Sequence, residues 1–403
     1  MGTLDTNGPE LSVDGLRRLL DQDTPFFLLD VRNRDDFAAW RVEGRRPIPA
    51  HNVPYFEMLE AGGQDDVVDA AVWYIENTLA TLLPKGQRIL AVCAKGETSA
   101  YVAEGLRRVG YDAMNLAGGM AAWGNHYTAR AAVEERGLAI HQIARPARGC
   151  LSYVVASDGH AALVDPLRHA APYVECARAH GLRIDAVLDT HGHADHVSGG
   201  PAIARAVGAP YHLHPYDAIH PIDVLPARIP FEPIRDGQEI AVGGARLRAL
   251  HIPGHTLGNV AFLVNERYLL SGDSIFLASV SRPDLGGRGE AWAALHYRSL
   301  RALLDLPDET LVLPGHFTAP GEARADGVFA APLGRLRAEN EGLRAVLQGE
   351  ERFTAYVLGS LPRFPPQYVE IKRVNIGLSE PGEDDLSELE LGKNVCALAG
   401  AAT

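Results

Sequence analysis

The chain has 403 residues, a formal net charge of -13, 46% hydrophobic and 22% charged residues, and four cysteines. Such a length fits two or three domains with sizeable cores, and the acidic balance argues against a general nucleic-acid surface. Cys93, Cys150, Cys176 and Cys396 are widely spaced with no Cys-x-x-Cys pair, which excludes a secreted disulfide framework and points to a reducing compartment.

No apolar run approaches the roughly 18 residues that span a bilayer, so no membrane partner is expected. Met1 to Asp5 shows no basic segment followed by an apolar one, so a cytoplasmic protein without a secretory signal is expected.

In chain order, Leu11 to Asp21 has apolar residues at helical spacing, with Ser12 as cap. Phe26 to Leu29 reads as a buried strand, Arg34 to Trp40 as a helix, and Arg88 to Val92 as a strand ending at Cys93. Thr98 to Val109 reads as a helix closed by Gly110. A strand near Met114, the turn Leu116 to Met120 and a helix with Trp123 follow. This alternation predicts a small α/β domain with a parallel sheet.

From Thr128 to Gly149 the chain is polar and aperiodic, so a linker and a first strand are placed there. Leu151 to Val155 and Ala161 to Val164 read as a hairpin with Asp158-Gly159 at the turn. A helix over about 171–180 precedes the strand Ala186 to Thr190. Beyond it lie a helix from Pro201 to Val207 and strands near Tyr211, at Ala245 to Ile252, Val260 to Val264 and Tyr268 to Leu270. Helices are predicted at Ala291 to Leu304 and Gly334 to Leu347, then an extended turn at Arg363 to Pro366. The end is acidic and small-residue-rich, and is expected to be mobile.

The segment Thr190 to His196 packs His191, His193, Asp195 and His196 behind an apolar strand. Such groups are costly in a core unless a metal ion takes their lone pairs. His255, Asp273 and His316 also follow apolar strands, each directly after a glycine. Glycine lets a backbone turn sharply and a ligand come close, and strand ends are where open sheets build sites. The coincidences point to a metal site, and the spacing fits one ion or two.

The series His-x-His-x-Asp-His, Gly-His-Thr, Gly-Asp and Pro-Gly-His resembles the metallo-β-lactamase superfamily over roughly residues 137–330. The resemblance implies an αββα sandwich. In its common dinuclear pattern His191, His193 and His255 hold one ion, Asp195, His196 and His316 the other, and Asp273 bridges. Ser281-Arg282-Pro283-Asp284-Leu285 is similar to the persulfide dioxygenase branch, which includes the ethylmalonic encephalopathy protein. That likeness implies one Fe(II) per chain, held by His191, His255 and Asp273. His193, Asp195, His196 and His316 then orient the ligands. Arg282 is carried over as a site residue, and a local ion pair with Asp284 that shapes the loop is the alternative.

Cys93 to Ser99 joins a strand end to a helix start, where backbone N–H groups and the helix dipole favour a thiolate and Lys95 adds charge. Together with Leu29 to Arg32 and Leu116 to Gly119, this loop resembles the rhodanese family over about residues 10–130. The likeness implies a central parallel sheet flanked by helices and sulfur transfer through a Cys93 persulfide. Lys95, Gly96 and Ser99 are carried over with Cys93 as catalytic residues of this loop, and Asp30 and Arg32 are structural.

The expected organisation is a sulfurtransferase domain at 1–130 and a linker with first strand at 131–148. A dioxygenase domain with a C-terminal helix follows at 149–376, and a mobile tail at 377–403. The implied reaction converts a thiol persulfide, such as that of glutathione, and dioxygen to sulfite and thiol, with thiosulfate as sulfur donor or acceptor. A glyoxalase II-like thioester hydrolase with two zinc ions is the alternative. The thiol carrier and homo-oligomerisation stay open.

Overall fold

A computed structural model describes residues 9–63 and 66–398. The reading of Met1 to Asp5 and the last five residues of the expected tail lie outside them. The chain divides into two compact units. The first is Met1–His126 with residues 145–148 and 319–321; the second is Tyr127–Ala144, Gly149–Thr318 and Glu322–Thr403.

The first unit holds a five-stranded parallel sheet in the order Glu10–Leu11, Ala113–Leu116, Ile89–Val92, Phe27–Asp30, Ala50–Asn52. Side chains alternate across a strand, so Leu28, Leu90, Val92 and Met114 meet Leu16, Leu19 and Trp123 on one face. Leu29, Ile89 and Ala113 meet Met58, Ile75, Val102 and Leu106 on the other. Both faces are covered, as a parallel sheet requires. Ser12 caps the helix Val13–Asp21 by accepting from the Gly15 N–H at 3.1 Å.

The second unit stacks two sheets. One has seven strands, running from Glu232–Pro233 through Tyr211–Leu213, Arg183–Leu188, His160–Val164, Cys150–Ser157 and Leu138–Arg145 to Thr128–Glu135. The other has six, from Glu239–Val242 through Ala245–His251, Val260–Val264, Tyr268–Gly272 and Leu311–Pro314 to Ala331–Pro332. The core between them joins Tyr153, Val155, Val164 and Leu188 to Leu247, Phe262, Leu270 and Leu313. The outer faces carry helices. Val154, Leu163 and Val187 meet Tyr173 and Ile203; Leu263, Leu269 and Val312 meet Leu300, Leu303 and Phe353. The result is the expected αββα sandwich. Asp158 (φ 50°) and Gly159 (φ 80°) form the predicted hairpin turn, which needs two left-handed residues.

Three expectations need correction. The polar stretch placed as linker and first strand is a long antiparallel hairpin, Thr128–Glu135 with Leu138–Arg145. Its buried Gln142 gives and takes backbone hydrogen bonds at Phe329, each 2.9 Å, so the partner that makes it a strand residue is far along the chain. The helix over 334–347 is two helices, Leu333–Glu339 and Glu341–Gln348. Asn340 breaks it by capping Leu343 N–H and donating to the Phe276 and Ser279 carbonyls. The segment read as a mobile tail contains the helix Glu383–Leu389 and buries Glu390, Cys396 and Leu398. Among the described residues no helix is long and apolar enough to cross a membrane.

Phe262 is fully buried in the intersheet core. Phe262→Ala should lower stability by about 3–5 kcal/mol, read from the midpoint of denaturant unfolding at unchanged slope.

Candidate functional site

The strand Arg183–Leu188 delivers the chain into a loop, residues 189–199, whose residues are all buried. Carboxylates brace that loop. Asp165 accepts from the Thr190 amide at 2.6 Å and its hydroxyl at 2.9 Å. Asp217 accepts from Gly192 N–H at 2.8 Å, Thr256 Oγ1 at 2.6 Å and Gly258 N–H at 2.9 Å, tying this loop to the one that carries His255.

His191, His255 and Asp273 converge, with one ligand atom from each within 4.8 Å of the others. Asp273 Oδ2 stands 3.5 Å from His255 Nε2 and 4.0 Å from His191 Nε2. All three atoms are buried without a hydrogen-bond partner. The opposite ring nitrogens are engaged. His255 Nδ1–H donates to the Arg282 carbonyl at 2.7 Å. Thr190 Oγ1 spends its proton on Asp165, so it accepts from His191 Nδ1–H at 2.9 Å. Both Nε2 atoms therefore carry lone pairs. Burial, joined at His191 by His193 and His255, holds both rings below the usual histidine range. Burial works against the Asp273 carboxylate, but His316 outweighs it and keeps the group ionised. Two neutral imidazoles and a carboxylate are the protonation states that a metal ion needs. Gly315 allows the close approach, since a Cβ there would sit 2.5 Å from Asp273 Oδ1.

His193 faces elsewhere. Its Nε2 lies 3.2 Å from Asp165 and 3.8 Å from Asp189. Burial opposes its charge, but the two carboxylates outweigh that and raise its pKa well above the ordinary range. Asp195, His196 and His316 gather with Cys150 in a cluster that could also hold an ion. In this arrangement they pair with one another through some atoms, while Asp195 Oδ1, His196 Nε2 and His316 Nε2 are buried without a hydrogen-bond partner. Asp195 Oδ2 lies 2.9 Å from His316 Nε2 and 3.1 Å from His196 Nδ1, and it accepts from Asn394 at 3.0 Å. His316 Nδ1 donates to Asp273 Oδ1 at 2.6 Å. Burial raises the Cys150 thiol, yet His316 and His196 bring it down to about 6.

In the first unit, Cys93 sits at the end of Ile89–Val92, and Gly96 N–H donates to its Sγ at 3.1 Å. Burial raises this thiol, but Ser99, through hydroxyl and amide, and the Lys95 and Gly96 amides outweigh it, so its pKa is lowered. Ser99 has one hydroxyl proton, which it gives to Asn115 at 2.7 Å, so Asn115 and the thiolate compete for it. Lys95 is exposed. The turn after Ala113–Leu116 backs the loop, with Met120 N–H donating to the Cys93 carbonyl at 2.9 Å. Only glycine fits at 119 (φ 56°), where a Cβ would lie 2.4 Å from that carbonyl. Asp30 and Arg32 form a buried ion pair at 2.7 Å, with Arg32 also on the Trp40 carbonyl, which is the structural role expected of them.

The sequence profile of the metallo-beta-lactamase superfamily matches residues 145–316, and that of the rhodanese-like domain residues 12–126. A protein named hydroxyacylglutathione hydrolase, from Acidiphilium cryptum, is 34% identical over 223 residues, 53% of this chain and 84% of its own length. The chain belongs to the metallo-beta-lactamase superfamily. A metallo-beta-lactamase from Staphylococcus aureus superimposes with a TM-score of 0.53 at 26% identity, covering 60% of this chain and 72% of that one. ETHE1 from Myxococcus xanthus gives 0.48 at 24% identity, covering 57% and 94%.

Several residues around the metallo-beta-lactamase centre escaped sequence reasoning. Asn375 donates to the His193 and His196 carbonyls, both at 2.9 Å, and accepts from Ser198 N–H at 2.9 Å. Glu390 accepts from Val197 N–H at 2.9 Å. Cys396 brings its Sγ within 4.8 Å of Asp195 and Asp273. The only available signal was Asn394 and Cys396 in an otherwise acidic tail, and Asn375 and Glu390 carried none. Arg282 is fully buried, with its guanidinium on Asp284 at 2.7 and 2.8 Å and on the Pro362 and Val395 carbonyls. That matches the local ion pair named as the alternative, and its carbonyl positions His255.

Asn375→Ala should lower metal affinity about ten- to hundred-fold while the fold persists, measured by competition with a chelating dye. Because the Cys93 pKa is lowered, its thiolate should persist below the usual thiol range of about 8.5. The pH midpoint of its alkylation rate should fall below that value, and Ser99→Ala should move it up.

Proposed function

We propose that the second unit oxidises a thiol persulfide with dioxygen at one ferrous ion held by His191, His255 and Asp273. Cys93 of the first unit moves sulfane sulfur between thiosulfate and the thiol. One observation supports the reading: His191 Nε2, His255 Nε2 and Asp273 Oδ2 gather within 4.8 Å of one another without hydrogen-bond partners, while the opposite atoms, both Nδ1 and Asp273 Oδ1, are each engaged. A ferrous ion in a two-histidine, one-carboxylate set supplies neighbouring open positions for dioxygen and sulfur and the redox chemistry between them.

The chain's own groups keep that set in order. The Thr190 hydroxyl and the Arg282 carbonyl hold the two Nδ1–H groups. His316 occupies Asp273 Oδ1 and leaves Oδ2 for the ion. Overall, persulfide, dioxygen and water give thiol, sulfite and two protons. At Cys93, the thiolate attacks the sulfane sulfur of thiosulfate, sulfite leaves with the bonding pair, and a Cys93 persulfide forms. An acceptor thiolate then attacks its outer sulfur and Cys93 departs as thiolate. The name of the Acidiphilium relative supports glutathione as the thiol.

The same name favours a second reading, a dinuclear zinc thioester hydrolase, and the cluster of Cys150, Asp195, His196 and His316 gives it a place for a second ion. Full-length protein loaded with ferrous iron should consume dioxygen when given glutathione persulfide, and none with glutathione alone. His255→Asn should reduce bound iron from about one per chain to near zero, whereas His196→Asn should leave it within about two-fold. Two zinc ions per chain, thioester turnover and no oxygen uptake would establish the hydrolase instead.

A further inference from the structure

A second set of ligand-type side chains lies apart from the centre described above. His141 comes from the strand Leu138–Arg145, Cys176 from the helix Ala171–Ala179, and His180 is the residue that ends this helix. Cys176 and His180 are four residues apart and share a helix face. One ring nitrogen of each histidine and the Cys176 sulfur all lie within 4.8 Å of one another. The His141 and His180 ring centres are 4.3 Å apart. His180 Nδ1, 4.0 Å from Cys176 Sγ, donates to the Cys176 carbonyl at 2.9 Å, which leaves Nε2 with the lone pair that a metal would use.

His141 and Cys176 are buried, while His180 is exposed. All three line a cleft of about 450 Å³, together with Glu134 and Glu175. Burial, reinforced by His180, holds the His141 pKa below its ordinary range, so that ring is neutral. The proposed sulfur chemistry uses none of these groups.

Burial pushes the Cys176 thiol up, so a metal ion has to displace its proton. The sulfur and two imidazoles then form a borderline-soft donor set, which suits zinc and disfavours magnesium or calcium. Three protein ligands leave a fourth position, which water or a carboxylate from the cleft wall can take. We infer that His141, Cys176 and His180 form a peripheral zinc site, separate from the centre built on His191. The inference does not rest on the dioxygenase reading, because the two sites share no residue.

The test uses full-length protein stripped of metal and then loaded with zinc or cobalt(II). The wild type should hold about one more zinc per chain than Cys176→Ser or His180→Gln, the number of ions such a cluster takes. The cobalt protein should show a near-ultraviolet thiolate-to-metal band that Cys176→Ser removes and that Cys150→Ser and His255→Asn retain. His180 is exposed, so His180→Gln reads the site without opening the core. Equal zinc content in the wild type and both variants, or a cobalt band of undiminished intensity in Cys176→Ser, would overturn the inference.

Discussion

Two imidazole lone pairs and one carboxylate oxygen, at His191, His255 and Asp273, are held away from water with no hydrogen-bond partner. Unpaired polar atoms in a core cost several kcal/mol, and a buried charge costs more. The surroundings are arranged to keep these atoms bare. The rings are anchored from behind, at Thr190 and at the Arg282 carbonyl, so neither can rotate to satisfy itself. His316 takes the other oxygen of Asp273. A cation that joins the three atoms offsets the cost, which is how metal affinity and folding become linked.

The second unit holds this arrangement from its C-terminal segment. Asn375 and Glu390 fix the backbone of the histidine loop, and Asn394 fixes Asp195. Arg282 gathers Asp284, Pro362 and Val395 around its guanidinium while its carbonyl holds His255. These groups act on the centre through backbone and through other side chains. A buried arginine with four of its five N–H donors engaged sets shape, and this is consistent with its packing over Phe364 at 5.5 Å.

Each unit uses the same local device. An apolar strand carries the reactive side chain to its end, and a neighbouring turn supplies a glycine where a Cβ cannot fit. Gly119 does this behind Cys93, and Gly315 does it beside Asp273. In the first unit the amides that converge favour an anion on sulfur, and in the second the converging lone pairs favour a cation.

The sequence by itself determined the fold class, the order of both domains and most of the chemistry-bearing residues. Short apolar runs, the Ser12 cap and the Asp158-Gly159 turn are local signals, and they appear where expected. The histidine series was legible because its spacing is local too. What only the tertiary structure decided is which of those side chains meet and what faces each of them. Spacing gave His191 and His193 equal standing. Asp165 and Asp189 pair with His193, and only the packed sheets bring Asp165 there. Asn340, Gln142 and the groups beyond Gly377 were misread for the same reason. Their hydrogen-bond partners lie tens to hundreds of residues away, and a polar side chain looks like a loop residue until the fold supplies the partner.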